Sequence, residues 1–136
     1  MADGLSLAAS VIAVVQIAGS CLELSRKWLG PSEFNSADLA AVQTTLFGFT
    51  EAMETFQKHL KAHTNDEARL KSLEYLSPVL DRCKRALDIV RDFIEHSGFI
   101  GKYVIGPKFD RKLKASLKAL GEAKELFRFS LYADHQ

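Results

Sequence analysis

Proline, tryptophan and cysteine are scarce in this chain of 136 residues, which contains three prolines, one tryptophan and two cysteines. Two cysteines do not make the disulfide framework of a small secreted domain. Cys21 and Cys83 each stand among apolar residues at helical core positions, so we predict two buried, reduced thiols. Strand-like alternation of β-branched and polar residues is nearly absent, and the chain is therefore predicted to be all-α.

Motifs for catalysis and cofactor binding are also missing. The sequence has no P-loop, no G-x-G-x-x-G and no G-x-S-x-G pattern. His59 and His63 are spaced as two ligands on one helix, but no neighbouring motif supplies a third metal ligand. We predict that the chain is not an enzyme and that it holds no metal or other cofactor.

Charge is nearly balanced over the chain but unevenly distributed along it. The net charge is +1, so no nucleic-acid partner is expected. Residues 1–57 contain two basic and six acidic side chains, whereas residues 100–136 contain eight basic and four acidic ones. The basic C-terminal part could pack against the acidic N-terminal part, contact anionic lipid or bind an acidic partner.

Apolar residues recur every three or four positions over most of the chain, which predicts helices. Gly30-Pro31 is expected to end the first helix, and Ser97-Gly98 to end the fourth. Pro78 indicates either a kink or a short helix that leads into a long one. The predicted helices cover residues 5–29, 36–62, 67–76, 78–97 and 108–133.

Short connections between these helices predict one domain, residues 1–136, that folds as an antiparallel bundle of four to five helices with a long hydrophobic N-terminal helix. The second helix has one apolar face, formed by Leu39, Val42, Leu46, Phe49, Met53, Phe56 and Leu60. The third apolar stripe is formed by Leu73, Leu76, Leu80, Cys83, Leu87, Val90 and Ile94. Such one-sided stripes are typical of bundle helices.

Residues 98–107, with the sequence GFIGKYVIGP, are too interrupted for a helix and too apolar for a free loop. They could form a plug over one end of the bundle or an exposed contact site. The helix that follows carries a basic cluster in its first half, where cations oppose the helix dipole. A solvated face is one interpretation and contact with anionic lipid is the other. The cluster consists of Lys108, Arg111, Lys112, Lys114 and Lys118.

The N-terminal stretch from Gly4 to Leu22 contains no charged residue. The charge before it is Asp3, which has the wrong sign for a secretory signal peptide. Nineteen helical residues extend roughly 28 Å, close to the thickness of a bilayer core. The stretch therefore suits either the interior of a bundle or a membrane.

Large and small side chains of this stretch fall on different sides of a helical wheel. The small side, which would allow close approach of another helix, contains Ser6, Ala9, Ala13 and Ser20. The aliphatic residues predicted to insert into lipid are Leu5, Leu7, Val11, Ile12, Val14, Val15, Ile17 and Leu22.

The opening sequence MADGLSLAASVIAVVQIAGSCLEL resembles the start of the HeLo-like (HELL) domains at the N-termini of fungal immune receptors of the NLR or NACHT type. Residues 76–90 are similar to the family's pattern of leucines around a cysteine, and residues 107–134 are similar to its closing helix. The resemblance implies a helical bundle related to that of mixed-lineage kinase domain-like protein.

The resemblance further implies a role in programmed cell death, fungal innate immunity and heterokaryon incompatibility. Such a domain would rest in the cytoplasm, and on activation it would form a homo-oligomer and permeabilise the plasma membrane through its N-terminal helix. Its partners would be membrane lipids and a C-terminal nucleotide-binding receptor module. The alternative is a helical interaction or adaptor module without membrane activity, which would bind partners through residues 99–105 or through a face of the second helix.

Overall fold

Helical elements occupy most of the residues that the structure describes. The computed structural model describes the backbone of residues 4–28, 37–63, 65–100 and 107–134, and the side chains of residues 7–27, 40–63, 65–95 and 111–131. The elements are α1 (Gly4–Trp28), α2 (Ala37–Ala62), α3 (Glu67–Ser72), a 3₁₀ helix (Glu74–Leu76), α4 (Ser77–Ile100) and α5 (Pro107–Asp134). These described ranges contain no strand, which confirms the prediction of an all-α fold with a long apolar N-terminal helix.

The four long helices pack so that each contacts two others. α1 packs against α2 and α4, and α5 packs against the same two helices. Within the described residues, α1 and α5 make at most marginal contact with each other, as do α2 and α4. These two pairs therefore stand across the bundle, and the link from α2 to α4 passes diagonally through α3, which touches α1.

The predicted apolar stripes form the core. On α2, every stripe residue whose side chain the structure describes is buried, and the stripe from Leu73 to Ile94 is buried throughout. Phe56 of α2 and Phe127 of α5 meet edge to face with ring centroids 4.8 Å apart, a favourable arrangement for buried aromatic rings. The regular spacing of three and four residues places all these side chains on one side of each helix, which is why they share one core.

A short helix leads into a long one at the proline, as one of the two predicted alternatives requires. The Asp66 side chain accepts a hydrogen bond from the Arg69 backbone N–H and caps α3. The 3₁₀ helix follows, and α4 begins at Ser77 with Pro78 in its first turn. Proline suits that position because the first N–H groups of a helix have no intrahelical acceptor.

The predicted end of the fourth helix at Ser97-Gly98 is wrong, because α4 continues to Ile100. One glycine costs a helix only about 1 kcal/mol relative to alanine. That cost is too small to end a helix whose earlier turns are buried in the core. Of the predicted plug or contact site, residues 98–100 are thus helical and Pro107 is the first residue of α5, while residues 101–106 lie outside the described residues.

Candidate functional site

The inner face of α1 belongs to the core of the bundle. Leu7, Val11 and Val14, three of the eight residues predicted to insert into lipid, are buried together with Ala18 and Cys21. Val15, Ile17 and Leu22 are half-buried and pack against the edge of the core. The side chain of Leu5 lies outside the described residues.

The outer face of α1 is exposed and uncharged over three turns. Ala9, Ile12, Gln16 and Ser20 are exposed, and Ile12 keeps 41% of its surface accessible. The next exposed residue along this face is the charged Glu23. A face without charge is unusual on the water side of a bundle helix, where polar and charged residues are the rule.

The predicted small face coincides with this outer surface. Ala9 and Ser20 are exposed and Ala13 is half-buried, so they are not at a close helix–helix contact inside the bundle. A Cβ atom added to Gly19 would meet no heavy atom within 4 Å. The side chain of Ser6 lies outside the described residues. The surface that would permit close helix packing is therefore unused within the described monomer.

α1 meets the length and composition requirements of a membrane span. The stretch Leu7–Lys27 has 21 residues and contains a window of 18 residues with a mean hydropathy of 1.9. At a rise of 1.5 Å per residue the stretch extends about 32 Å. Core helices of soluble proteins and signal sequences satisfy the same criterion, but a core helix is mostly buried. In that window 28% of the residues are buried, a share similar to that of the charged helix α5, so one side of α1 faces the core and the other does not.

The charged residues of α1 lie together at its C-terminal end, beside α4. Ser20, Glu23, Leu24, Arg26, Lys27 and Arg91 line an open groove of about 550 Å³. Arg91 also forms an exposed ion pair with Glu95, with 3.7 Å between Nε and Oε2. Because this groove carries both signs of charge, it does not form a site for anions alone.

Both cysteines are buried and free, as the sequence predicts. Burial raises the pKa of the Cys21 thiol to about 11, although Arg91 opposes the shift. Burial likewise raises the pKa of Cys83 to about 12, opposed by Arg82. Cys21 Sγ lies 3.8 Å from the carbonyl oxygen of Leu87 and donates to it across the contact between α1 and α4. A thiol with such a pKa is protonated at neutral pH and is a poor nucleophile.

The predicted basic cluster lies on the outer surface of α5. Arg111, Lys112, Lys114 and Lys118 are all exposed, and the side chain of Lys108 lies outside the described residues. Because α5 stands across the bundle from α1, the exposed faces of the two helices point away from each other. The closed bundle cannot present both to one flat membrane.

The two histidines with metal-ligand spacing are engaged in hydrogen bonds. His63 Nδ1 lies 2.9 Å from the carbonyl oxygen of His59, and Arg69 Nη1 lies 2.8 Å from His63 Nε2. Since a carbonyl only accepts and a guanidinium only donates, His63 carries its proton on Nδ1. Both ring nitrogens of His63 are thus occupied, and the described residues contain no group of three metal-ligating side chains.

An exposed aromatic side chain on α5 was not predicted from the sequence. Phe129 keeps 66% of its surface accessible, more than Phe47 of α2 at 54%. Its position two residues after the core residue Phe127 takes it off the apolar stripe, and that spacing was the available signal. A separate groove of about 210 Å³ between α4 and α5 is lined mostly by Val79, Cys83, Ala119, Ala123 and Leu126.

Comparison of the chain with models of protein families, with curated proteins and with solved structures finds no match. The candidate site is therefore defined by the residues of the chain itself. Its two parts are the uncharged outer face of α1 and the basic face of α5.

Proposed function

We propose that the chain is a HeLo-like cell-death execution domain of a fungal NLR-type immune receptor. In this proposal it is an antiparallel four- to five-helix bundle that rests in the cytoplasm, is joined to a C-terminal nucleotide-binding module, and has no catalytic activity. On activation it self-associates and permeabilises the plasma membrane. The observation that carries the proposal is that α1 is long and apolar enough to cross a membrane and that its exposed face has no charge from Ala9 to Ser20.

The buried side of α1 keeps the bundle closed in water. Exposing a buried leucine or valine costs about 1.5–3 kcal/mol, so releasing Leu7, Val11 and Val14 costs about 5–9 kcal/mol. The apolar surfaces of α2 and α4 that contact α1 would be exposed to water as well, which adds to this cost. Insertion of the eight predicted aliphatic residues favours the membrane by only about 2.5–5 kcal/mol. Insertion into a neutral membrane is therefore too weak to open the bundle.

The basic face of α5 would bring the chain to anionic lipid. Each lysine or arginine close to an anionic membrane contributes about 1 kcal/mol. Five such residues add about 5 kcal/mol to membrane binding. The four whose side chains the structure describes are exposed in the closed bundle as well, so this attraction holds the chain at the membrane, and the release of α1 is left to self-association on activation. The uncharged small face of α1 would then allow inserted helices to pack against one another.

The outer face of α1 provides a substitution that separates membrane insertion from folding. Ile12→Asp places a charge on an exposed site of the closed bundle, whereas in a span a charge costs about 2.5–3.5 kcal/mol near the centre. We expect it to slow dye leakage from phosphatidylcholine vesicles containing phosphatidylserine at least about tenfold. Val14→Asp is unsuitable because Val14 is fully buried and its replacement would unfold the bundle.

Phe47→Asp is the matched control, because it places the same charge on an exposed apolar site of α2. It should leave leakage close to that of the unmodified chain. Circular dichroism and thermal unfolding establish that both variants fold. If folded Ile12→Asp protein releases dye as fast as the control, α1 does not enter the membrane and the proposal is wrong.

The second candidate function is an interaction module that never enters lipid. The exposure of Phe129 and of Phe47 favours it, because large exposed aromatic side chains commonly mark protein contacts. Such a module would release no dye and would not bind vesicles.

A further inference from the structure

The outer face of α5 separates its charges by sign along its length. Arg111 and Lys118 lie on this face in the N-terminal half, and Glu122, Glu125 and Phe129 lie on it in the C-terminal half. All five side chains are exposed, and their spacings of seven, four, three and four residues keep them on one side of the helix. We call these five residues the α5 outer face.

The C-terminal half of the α5 outer face also has an open apolar surface. Gly121, the half-buried Leu126 and Phe129 line a shallow depression of about 580 Å³, together with neighbouring charged residues. A Cβ atom added to Gly121 would meet no heavy atom within 4 Å. Another helix can therefore approach the backbone closely at this point.

We propose that the α5 outer face binds the same face of a second copy of this chain, with the two α5 helices antiparallel about a two-fold axis. In an isologous contact, each residue on one side meets its counterpart on the other. Lys118 then lies opposite Glu122 of the second copy, and Arg111 opposite its Phe129. Both pairs are centred on position 120, so a single register satisfies them together.

The chemistry of the two pairs favours a second copy over an unrelated partner. Neither Lys118 nor Glu122 forms an ion pair with any described residue of its own chain, so both remain available. A guanidinium over an aromatic ring is an attractive contact, strongest when water is excluded. Lys118 and Arg111 thus complement Glu122 and Phe129 of the second copy. Glu125 instead pairs with Lys124 and Arg128 of its own chain. One helix face makes a small interface, and we expect a dimer with a dissociation constant in the micromolar range.

Charge reversal tests the register directly, with sedimentation of the full chain as the measurement. Lys118→Glu and Glu122→Lys each create two like-charge pairs in their own homodimer, and each should weaken dimerisation about tenfold. The two single variants mixed together should form a heterodimer, because each then meets its opposite charge. The double variant Lys118→Glu/Glu122→Lys should dimerise like the unmodified chain.

Phe129→Ala should also weaken the dimer about tenfold, since it removes the ring that contacts Arg111 of the second copy at each end of the interface. Phe47→Ala, which removes a comparably exposed ring from α2, should have no effect. The proposal is overturned if the unmodified chain stays monomeric at millimolar concentration, or if the single charge reversals dimerise normally. Failure of the mixed variants to associate overturns it as well.

One consequence of the dimer rests on the proposed function. The α5 outer face includes Arg111 and Lys118, which are also predicted to contact anionic lipid, so dimerisation and vesicle binding compete for them. Glu122→Lys should therefore weaken the dimer while strengthening vesicle binding. Loss of the first effect contradicts the dimer, and loss of the second contradicts the lipid contact, so the two failures are distinguishable.

Discussion

Phe127 and Phe129 stand two residues apart on α5 and lie in opposite environments. Phe127 is fully buried against Phe56, whereas Phe129 keeps 66% of its surface accessible. A step of two residues along a helix rotates the side chain by about 200°, so a buried position can be followed two residues later by an exposed one. The identity of the residue type says nothing about its role here, and the spacing decides it.

Alanine substitutions at these two positions should differ strongly in their effect on stability. Phe127→Ala leaves a cavity in the core and should lower the free energy of unfolding by about 3–5 kcal/mol. Phe129→Ala removes an exposed ring and should change it by less than about 0.5 kcal/mol. Urea denaturation at a protein concentration below the dimer range measures both. Equal losses for the two variants would contradict the assigned positions.

The elements of the fold differ in how far the sequence predicts them. The apolar stripes of α2 and α4 are regular, and their burial follows from spacing alone. The predicted end of α4 is wrong because the buried turns before Gly98 stabilise the helix by more than one glycine destabilises it. Insertion residues and core residues of α1 could not be separated, because an aliphatic side chain suits both lipid and a protein interior.

The short helix α3 depends on its N-terminal cap. Asp66 accepts from the Arg69 N–H at 3.1 Å, and its second carboxylate oxygen lies 3.8 Å from Arg69 Nε. Asp66→Ala removes the cap and should lower the free energy of unfolding by about 0.5–2 kcal/mol. Asp66→Asn keeps the acceptor oxygen and should recover most of that loss. If the asparagine variant is as unstable as the alanine variant, the ion pair and not the cap stabilises the helix.

At the scale of the whole molecule, the order in which the helices pack could not be predicted. Each helix has one apolar stripe, and several arrangements of four such helices bury all the stripes equally well. The structure packs both α1 and α5 against α2 and α4, so α1 stands across the bundle from the basic helix. This arrangement separates the two surfaces that the sequence had assigned to one membrane.

Vesicle binding should depend on where a positive charge lies on the molecule. Lys112→Glu on α5 and Lys58→Glu on α2 change the net charge equally, and both lysines are exposed. We expect Lys112→Glu to reduce co-sedimentation with phosphatidylserine-containing vesicles much more than Lys58→Glu does. Binding of the unmodified chain should fall between about 50 mM and about 500 mM salt, because screening shortens the range of surface charges. Equal effects of the two variants would mean that no particular face meets the lipid.

The position of α5 against both α2 and α4 has a geometric consequence for an opened molecule. If α1 leaves the bundle, α5 still contacts both α2 and α4 and holds them together. The apolar surfaces of α2 and α4 that α1 had covered are then exposed. The N-terminal helix of a neighbouring molecule would fit the vacated place between α2 and α4.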